Sequence, residues 1–164
     1  MAGTRWIEAA RVLGTGVPPI QAFQNLANGT YLRGALVLVD ANGFLIECSA
    51  NPTVVAGVAL SGAQQAAGYQ AGNSPTVITG QADVTSVAMF NSSTTFSMRG
   101  VNGATDPVTP TLTMLNEQYG ALKDANGIWT LDLSNTTQKV FTVIDFDDVA
   151  MVFFCKPITS VSQF

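Results

Sequence analysis

The chain contains no histidine. That removes the commonest general base, the usual serine and cysteine triads, and the commonest transition-metal ligand. Charge is scarce as well: 11% of the residues are Asp, Glu, Lys or Arg, against about 25% in an ordinary globular domain. The seven basic residues (Arg5, Arg11, Arg33, Arg99, Lys123, Lys139 and Lys156) are scattered. No Lys/Arg cluster exists to release phosphate counterions, which argues against a nucleic-acid partner and against docking on an anionic membrane. The longest apolar runs, Gly34–Val39 and Val149–Cys155, are too short to span a bilayer. Residues 1–14 include Arg5 and Glu8 and lack the unbroken apolar stretch of a secretory signal. The expectation is a chain made in a cytoplasm. Cys48 and Cys155 then read as two buried thiols, with a disulfide between an early and a late strand left open.

What remains is a chain of 164 residues, 47% hydrophobic, with a net charge of −4, enough for one domain with a core. Its polar residues are mainly Ser, Thr, Asn and Gln, whose surfaces cost little to desolvate and suit contact with other proteins.

Residues 1–30 are broken by Gly14, Gly16, Pro18, Pro19, Asn28 and Gly29. Thr4–Leu13 reads as a short helix with Thr4 as N-cap and Gly14 after its end. The segment as a whole reads as an extended arm with Trp6, Ile7 and Phe23 as apolar anchors for a partner. An edge strand lying on the chain's own domain is the alternative.

From Tyr31 onward the pattern is β, so the expected division is an arm over 1–30 and a β-rich domain over 31–164. Ala35–Val39 and Phe44–Cys48 flank Asp40-Ala41-Asn42-Gly43, a hairpin signal in which Asn-Gly supplies positive φ. Both strands are apolar on both faces, which predicts a deeply buried hairpin. Val54–Leu60, Thr76–Thr79, Val84–Phe90 and Thr94–Arg99 follow as short strands, with one helical turn expected within Gly62–Gly68. Residues 100–110 read as a loop, and Leu112–Gln118 fits either a strand or a short helix. The turn word Asp-Ala-Asn-Gly recurs at 124–127, joining Tyr119–Lys123 to Ile128–Leu133, whose alternation predicts one buried and one wet face. Lys139–Ile144 and Ala150–Cys155 close the pattern around an acidic corner, Asp145–Asp148. Short strands at about ten-residue spacing without a long amphipathic helix predict an all-β fold, a single β-barrel or β-sandwich-like domain with at most one or two short helices.

No catalytic constellation emerges. Asp145, Asp147 and Asp148 lack the ligand spacing of a helix–loop–helix calcium site. Glu8, Glu47 and Glu117 lie in separate segments with nothing to pair them as glycosidase carboxylates. Gly14-Thr15-Gly16 and Gly100–Gly103 match neither a phosphate loop nor a dinucleotide fingerprint. The expectation is no enzyme, no metal, no cofactor and no small-molecule substrate.

Several words along Tyr31–Phe154 nevertheless form a pattern: Arg33-Gly34, Ser49-Ala50-Asn51-Pro52 before Val55–Ala59, Ser93–Met98, Tyr119–Leu122 with Gly127–Asp132, and the acidic corner before Met151–Phe154. In these turn and core residues the chain resembles the small capsid decoration, or cement, proteins of tailed bacteriophages. The resemblance implies a β-rich virion structural protein on the outer capsid surface. It would bind the major capsid protein and brace neighbouring capsomers, with self-association as homotrimers and an extended arm. It carries over no catalytic residue. The alternatives are another β-rich virion component (tail-tube, head–neck or fibre protein) or a carbohydrate-binding module.

Overall fold

Two identical turns organise the chain. In a computed structural model that describes residues 7–12, 19–26, 29–63, 84–103 and 106–164, Asp40 N–H donates to the Phe44 carbonyl at 2.8 Å and Gly43 N–H to the Asp40 carbonyl at 3.0 Å. The Asp40 carboxylate accepts from the N–H groups of Asn42 and Phe44 at 2.8 and 2.9 Å. Asp124 repeats the arrangement, taking Asn126 and Ile128 N–H groups at 2.8 Å each. Only the glycine of each word has positive φ, +86° at Gly43 and +81° at Gly127. These are three-residue loops, a type I turn followed by a left-handed glycine bulge, and not the two-residue turns in which Asn also turns left-handed.

The described residues form twelve strands in two sheets. β1 (Glu8–Val12), β2 (Ile20–Gln24), β3 (Leu36–Val39), β4 (Leu45–Glu47), β5 (Gly57–Ala59) and β6 (Val84–Met89) come first, then β7 (Thr94–Met98) and β8 (Gly100–Val101). β9 (Gln118–Lys123), β10 (Trp129–Asp132), β11 (Phe141–Asp147) and β12 (Val152–Pro157) follow. The seven-stranded sheet runs β1-β7-β12-β11-β9-β10-β8 and the five-stranded sheet β2-β6-β5-β3-β4. The fold is an all-β, sandwich-like arrangement of two sheets, and neither sheet closes into a barrel. A single bridge between Asn25 and Leu45 brings the two edges of the smaller sheet together at one point. Single 3-10 turns at Leu112–Met114 and Thr159–Val161 are the only helices among the described residues, and none is long and apolar enough to cross a membrane.

The core joins the sheets through three rings. Phe90 follows β6, Phe96 lies on β7 and Phe141 on β11, with centroids 5.3–6.2 Å apart in tilted and edge-on pairs. Tyr31, Leu36, Val37, Leu45, Val58, Trp129, Leu131 and Phe153 are fully buried around them. A second tie comes from the segment after β12. Val55 N–H donates to the Val161 carbonyl and Gln163 N–H to the Val55 carbonyl. The Gln163 side-chain amide then accepts from Val39 N–H at 2.8 Å and donates to the Val39 carbonyl at 2.7 Å. β5 pairs with β3 only at Leu36 and Val37, so this amide continues the ladder where β5 has ended.

Several sequence expectations change here. Glu8–Val12 is not part of a helix; it is a strand paired antiparallel with β7, from Glu8–Ser97 to Val12–Thr94. A short isolated helix is marginal in water, and the exposed ladder of β7 offers those backbone groups partners that a helix on the surface could not match. The two strands within segment 1–30 therefore lie on the chain's own sheets, β1 on one and β2 on the other, which is the edge-strand alternative. The first hairpin is not deeply buried throughout. β4 is an edge strand, so Leu38, Val39 and Ile46 are half-buried while Leu36, Val37 and Leu45 fill the core. The 100–110 loop contains β8, which pairs parallel with β10. Asp132 on β10 is buried on the face expected to be wet, because its carboxylate accepts from Ser134 Oγ at 2.6 Å, Ser134 N–H at 3.1 Å and Gly103 N–H at 3.3 Å. β11 runs on through Asp147, with a bulge between Val143 and Asp145, so the turn is Asp148–Met151 and not Asp145–Asp148. Most of the Gly62–Gly68 turn and all of the Thr76–Thr79 strand lie outside the described residues.

Candidate functional site

The three anchors expected to meet a partner are not brought together. Trp6 lies outside the described residues. Ile7 is 2% exposed and packs into the central core. The strand that follows it pairs with β7, which holds Ile7 against the domain's own interior, so it is not available at the surface. Phe23, on β2, is half-buried against the core and stacks on Phe164, with ring centroids 6.1 Å apart and planes 17° from parallel.

The surface around β2 mixes apolar and uncharged polar side chains and has no charged one on β2 or β6. Antiparallel pairing places Ile20 opposite Ala88, Ala22 opposite Ser86 and Gln24 opposite Val84. Residues paired in this way share a face of the sheet. Ile20 and Val84 are 51% and 49% exposed on it, and Phe164 on Phe23 is 65% exposed. No residue from Pro19 to Leu26 or from Val84 to Met98 carries a charge. Two further apolar side chains stand exposed on turns: Leu112, 76% exposed on a 3-10 turn, and Val149, 92% exposed at the tip between β11 and β12.

A cleft of about 280 Å³ opens between Thr30–Leu32, Glu47 and the Lys123–Gly127 turn. Glu47 on β4 receives Lys123 Nζ at 2.6 Å and Trp129 Nε1–H at 2.9 Å, so one carboxylate of the smaller sheet holds two donors from the larger. Behind the cleft the Tyr31 hydroxyl donates to Asn25 Oδ1, and Asn25 Nδ2 donates to Thr85 Oγ1 at 3.0 Å. These three groups satisfy each other, and the Glu47 contacts form a polar latch between the sheets.

Two carboxylates of the acidic corner are used in its turn. The Asp145 carboxylate accepts from Phe146 N–H and that of Asp147 from Ala150 N–H, at 2.9 and 2.8 Å, shaping the β11–β12 turn. Among the described residues no three His, Cys, Asp or Glu side chains gather as a metal-ligating group. Cys48 and Cys155 are both free and buried. Burial, reinforced by the neighbouring Glu47 carboxylate, pushes the Cys48 thiol up to about 12, and burial alone pushes Cys155 up as well. Both are protonated and unreactive at neutral pH. Burial and the nearby Glu117 also raise the Tyr119 hydroxyl.

No protein-family model, curated protein or solved structure matches this chain.

Proposed function

We propose that this chain is a structural protein of a virus particle that binds the outer surface of a capsid and braces neighbouring capsomers. The observation that carries the reading is the exposure of Leu112 and Val149, apolar side chains held on turns and left 76% and 92% open, Val149 at the tip between β11 and β12. Single exposed hydrophobics are ordinary on a flat surface. On a turn they can enter a neighbour's pocket with little desolvation of charge around them. Full burial of one such side chain against a partner is worth about 1.5–3 kcal/mol, and repetition over many copies on a shell multiplies weak contacts. The resemblance in turn and core residues supports a decoration protein within this class.

The test is co-sedimentation with purified phage shells that lack the protein. The expected result is saturation at hundreds of copies per particle, with Leu112→Asp and Val149→Asp each weakening binding about tenfold or more while the melting temperature stays within a degree of the parent. Saturation at six or twelve copies would move the protein to a tail or neck. Unchanged binding by both variants would remove these two side chains from the mechanism.

A further inference from the structure

An asparagine followed by glycine cyclises readily, because the glycine nitrogen is unshielded and its backbone is free to turn. The chain has four such pairs. Asn28 of Asn28-Gly29 lies outside the described residues. The other three, Asn42-Gly43, Asn102-Gly103 and Asn126-Gly127, put glycine at positive φ, +86°, +75° and +81°. Dipeptide and glycine conformation are alike in all three, and the surroundings differ. Cyclisation needs the glycine nitrogen to come round beside the asparagine Cβ and attack the side-chain carbonyl. The two hairpins oppose this. Gly43 N–H donates to the Asp40 carbonyl at 3.0 Å and Gly127 N–H to the Asp124 carbonyl at 3.1 Å. The N–H groups of Asn42 and Asn126 are held at 2.8 Å by the carboxylates of the same aspartates. A type I turn keeps each glycine nitrogen eclipsed with the asparagine's own nitrogen, away from Cβ.

Asn102 stands differently. It follows β8 and is exposed, as is Gly103. Its N–H reaches the Asp106 carbonyl only at 3.3 Å. Gly103 N–H donates to a carboxylate, Asp132 Oδ1, at 3.3 Å. That carboxylate is buried and fixed by Ser134 Oγ at 2.6 Å and Ser134 N–H at 3.1 Å. A base acts from within hydrogen-bond reach of the proton it takes. In the hairpins the glycine nitrogen faces a carbonyl, which takes no proton. At Asn102 it faces a held carboxylate.

We propose that Asn102-Gly103 is a site of spontaneous covalent modification, at which the Gly103 nitrogen attacks Asn102 Cγ while Asp132 accepts the Gly103 proton. The new N–Cγ bond closes a succinimide ring. The Cγ–Nδ2 bond breaks, and Nδ2 leaves as ammonia with the proton that Asp132 took. Water then opens the ring at either carbonyl and leaves aspartate or isoaspartate at position 102. No electrons change hands, and each copy becomes one charge more negative than −4. The isoaspartate form lengthens the backbone directly after β8, whose pairing with β10 consists of Gly100–Leu131 and Val101–Asp132.

The modification is independent of the capsid reading, and its test uses the full chain alone. The folded protein is incubated in mildly alkaline buffer and mapped over time by peptide mass spectrometry, beside a sample unfolded in urea. In urea the three pairs share one dipeptide and should convert at similar rates. In the folded protein Asn102 should convert at least as fast as in urea. Asn42 and Asn126 should convert about tenfold more slowly, since two hydrogen bonds must break in each hairpin first. Asp132→Asn keeps an oxygen for Gly103 N–H but is no base, and should slow Asn102 about tenfold or more while the hairpin sites keep their rates. If Asp132→Asn fails to fold, the comparison of the folded parent with urea decides alone. Asn102 converting more slowly folded than in urea, either hairpin asparagine matching it in the folded protein, or a folded Asp132→Asn protein converting Asn102 at the parent rate overturns the proposal.

Discussion

Replacing Gly57 with Ala should be among the most damaging single-methyl changes in this protein. Gly57 is the first residue of β5, in the middle of the five-stranded sheet, between Met89 on β6 and Val37 on β3. A Cβ at this position would lie 2.2 Å from the Ala88 carbonyl oxygen and 2.6 Å from Val87 Cγ1. The first obstacle is backbone, so relief requires β5 and β6 to separate, not a side chain to rotate. Overpacking of this kind costs about 1–3 kcal/mol and occasionally more, partly offset by about 0.4–1 kcal/mol because alanine restricts the unfolded chain. With about 2–4 °C per kcal/mol for a chain of this length, the melting temperature should fall by about 4 °C at the middle of these ranges and by about 10 °C at their upper end. Gly43→Ala is the informative comparison. Nothing lies within 4 Å of its added Cβ, but φ is +86°, so its cost is about 1–2 kcal/mol of left-handed strain alone. Gly43→Asn should recover part of that loss because Asn tolerates this conformation, whereas Gly57→Asn should be worse than Gly57→Ala. Thermal melts by circular dichroism measure all four variants. A Gly57→Ala protein melting within a degree of the parent would refute the close approach of β5 and β6.

Two further outcomes follow from the buried thiols and the polar latch. The folded state holds the Cys48 proton to about 12 against an ordinary 9.0, so the unfolded chain releases that proton first as pH rises. Stability should be unaffected below about pH 9 and decline between pH 9 and 12, by about 1.4 kcal/mol per pH unit per thiol. Urea melts of the parent against Cys48→Ala/Cys155→Ala isolate this term, and equal slopes above pH 9 would contradict it. At the latch, Glu47→Ala orphans Trp129 Nε1–H and should cost about 1–3 kcal/mol. Lys123→Met breaks only a partly exposed ion pair and should cost about 1 kcal/mol or less. The reverse order in denaturant melts followed by Trp fluorescence would show that the ion pair, not the indole bond, ties the sheets.

The parts of the fold legible in the sequence were those written in local turn chemistry. Asp40–Gly43 and Asp124–Gly127 state their hairpins through an Asp that caps two N–H groups and a Gly that takes the left-handed position, and neither needs distant residues. β6, β7 and β10 were legible for a related reason, since short runs rich in Val, Thr and aromatic residues are bounded by Asn, Ser or Gly. The failures share a physical cause. Whether Glu8–Val12 coils into a helix or lies along β7 is decided by a partner some ninety residues away. Asp132 reads as a solvent-facing residue until the 100–110 loop and Ser134 are folded over it. The Gln163 amide that completes the β3 ladder has no local signal at all, because any Gln has the same two groups and only tertiary placement aligns them with Val39. The β2 edge was half legible. Its lack of charge is plain in Ile20–Gln24, but that it forms the rim of a sheet is not.

Scarcity of charge and the character of the surface have a common origin in how this chain uses its short polar side chains. Asn91 Oδ1 accepts from the N–H and hydroxyl groups of both Ser93 and Thr94, at 2.8–3.0 Å. Asn135 Oδ1 takes the N–H groups of Thr137 and Gln138 while its amide donates to Asn51 Oδ1 at 2.7 Å. Asp40, Asp124 and Asp132 are committed in the same way. Twelve short strands need many turns, each turn leaves backbone N–H groups without ladder partners, and compact Asn, Asp and Ser side chains satisfy them locally. Polar groups engaged with their own backbone have less capacity left to hold surface water. The exterior then combines internally satisfied turns with isolated apolar residues such as Ile20, Val84, Leu112 and Val149, and it can be covered by another protein without stripping water from many charges.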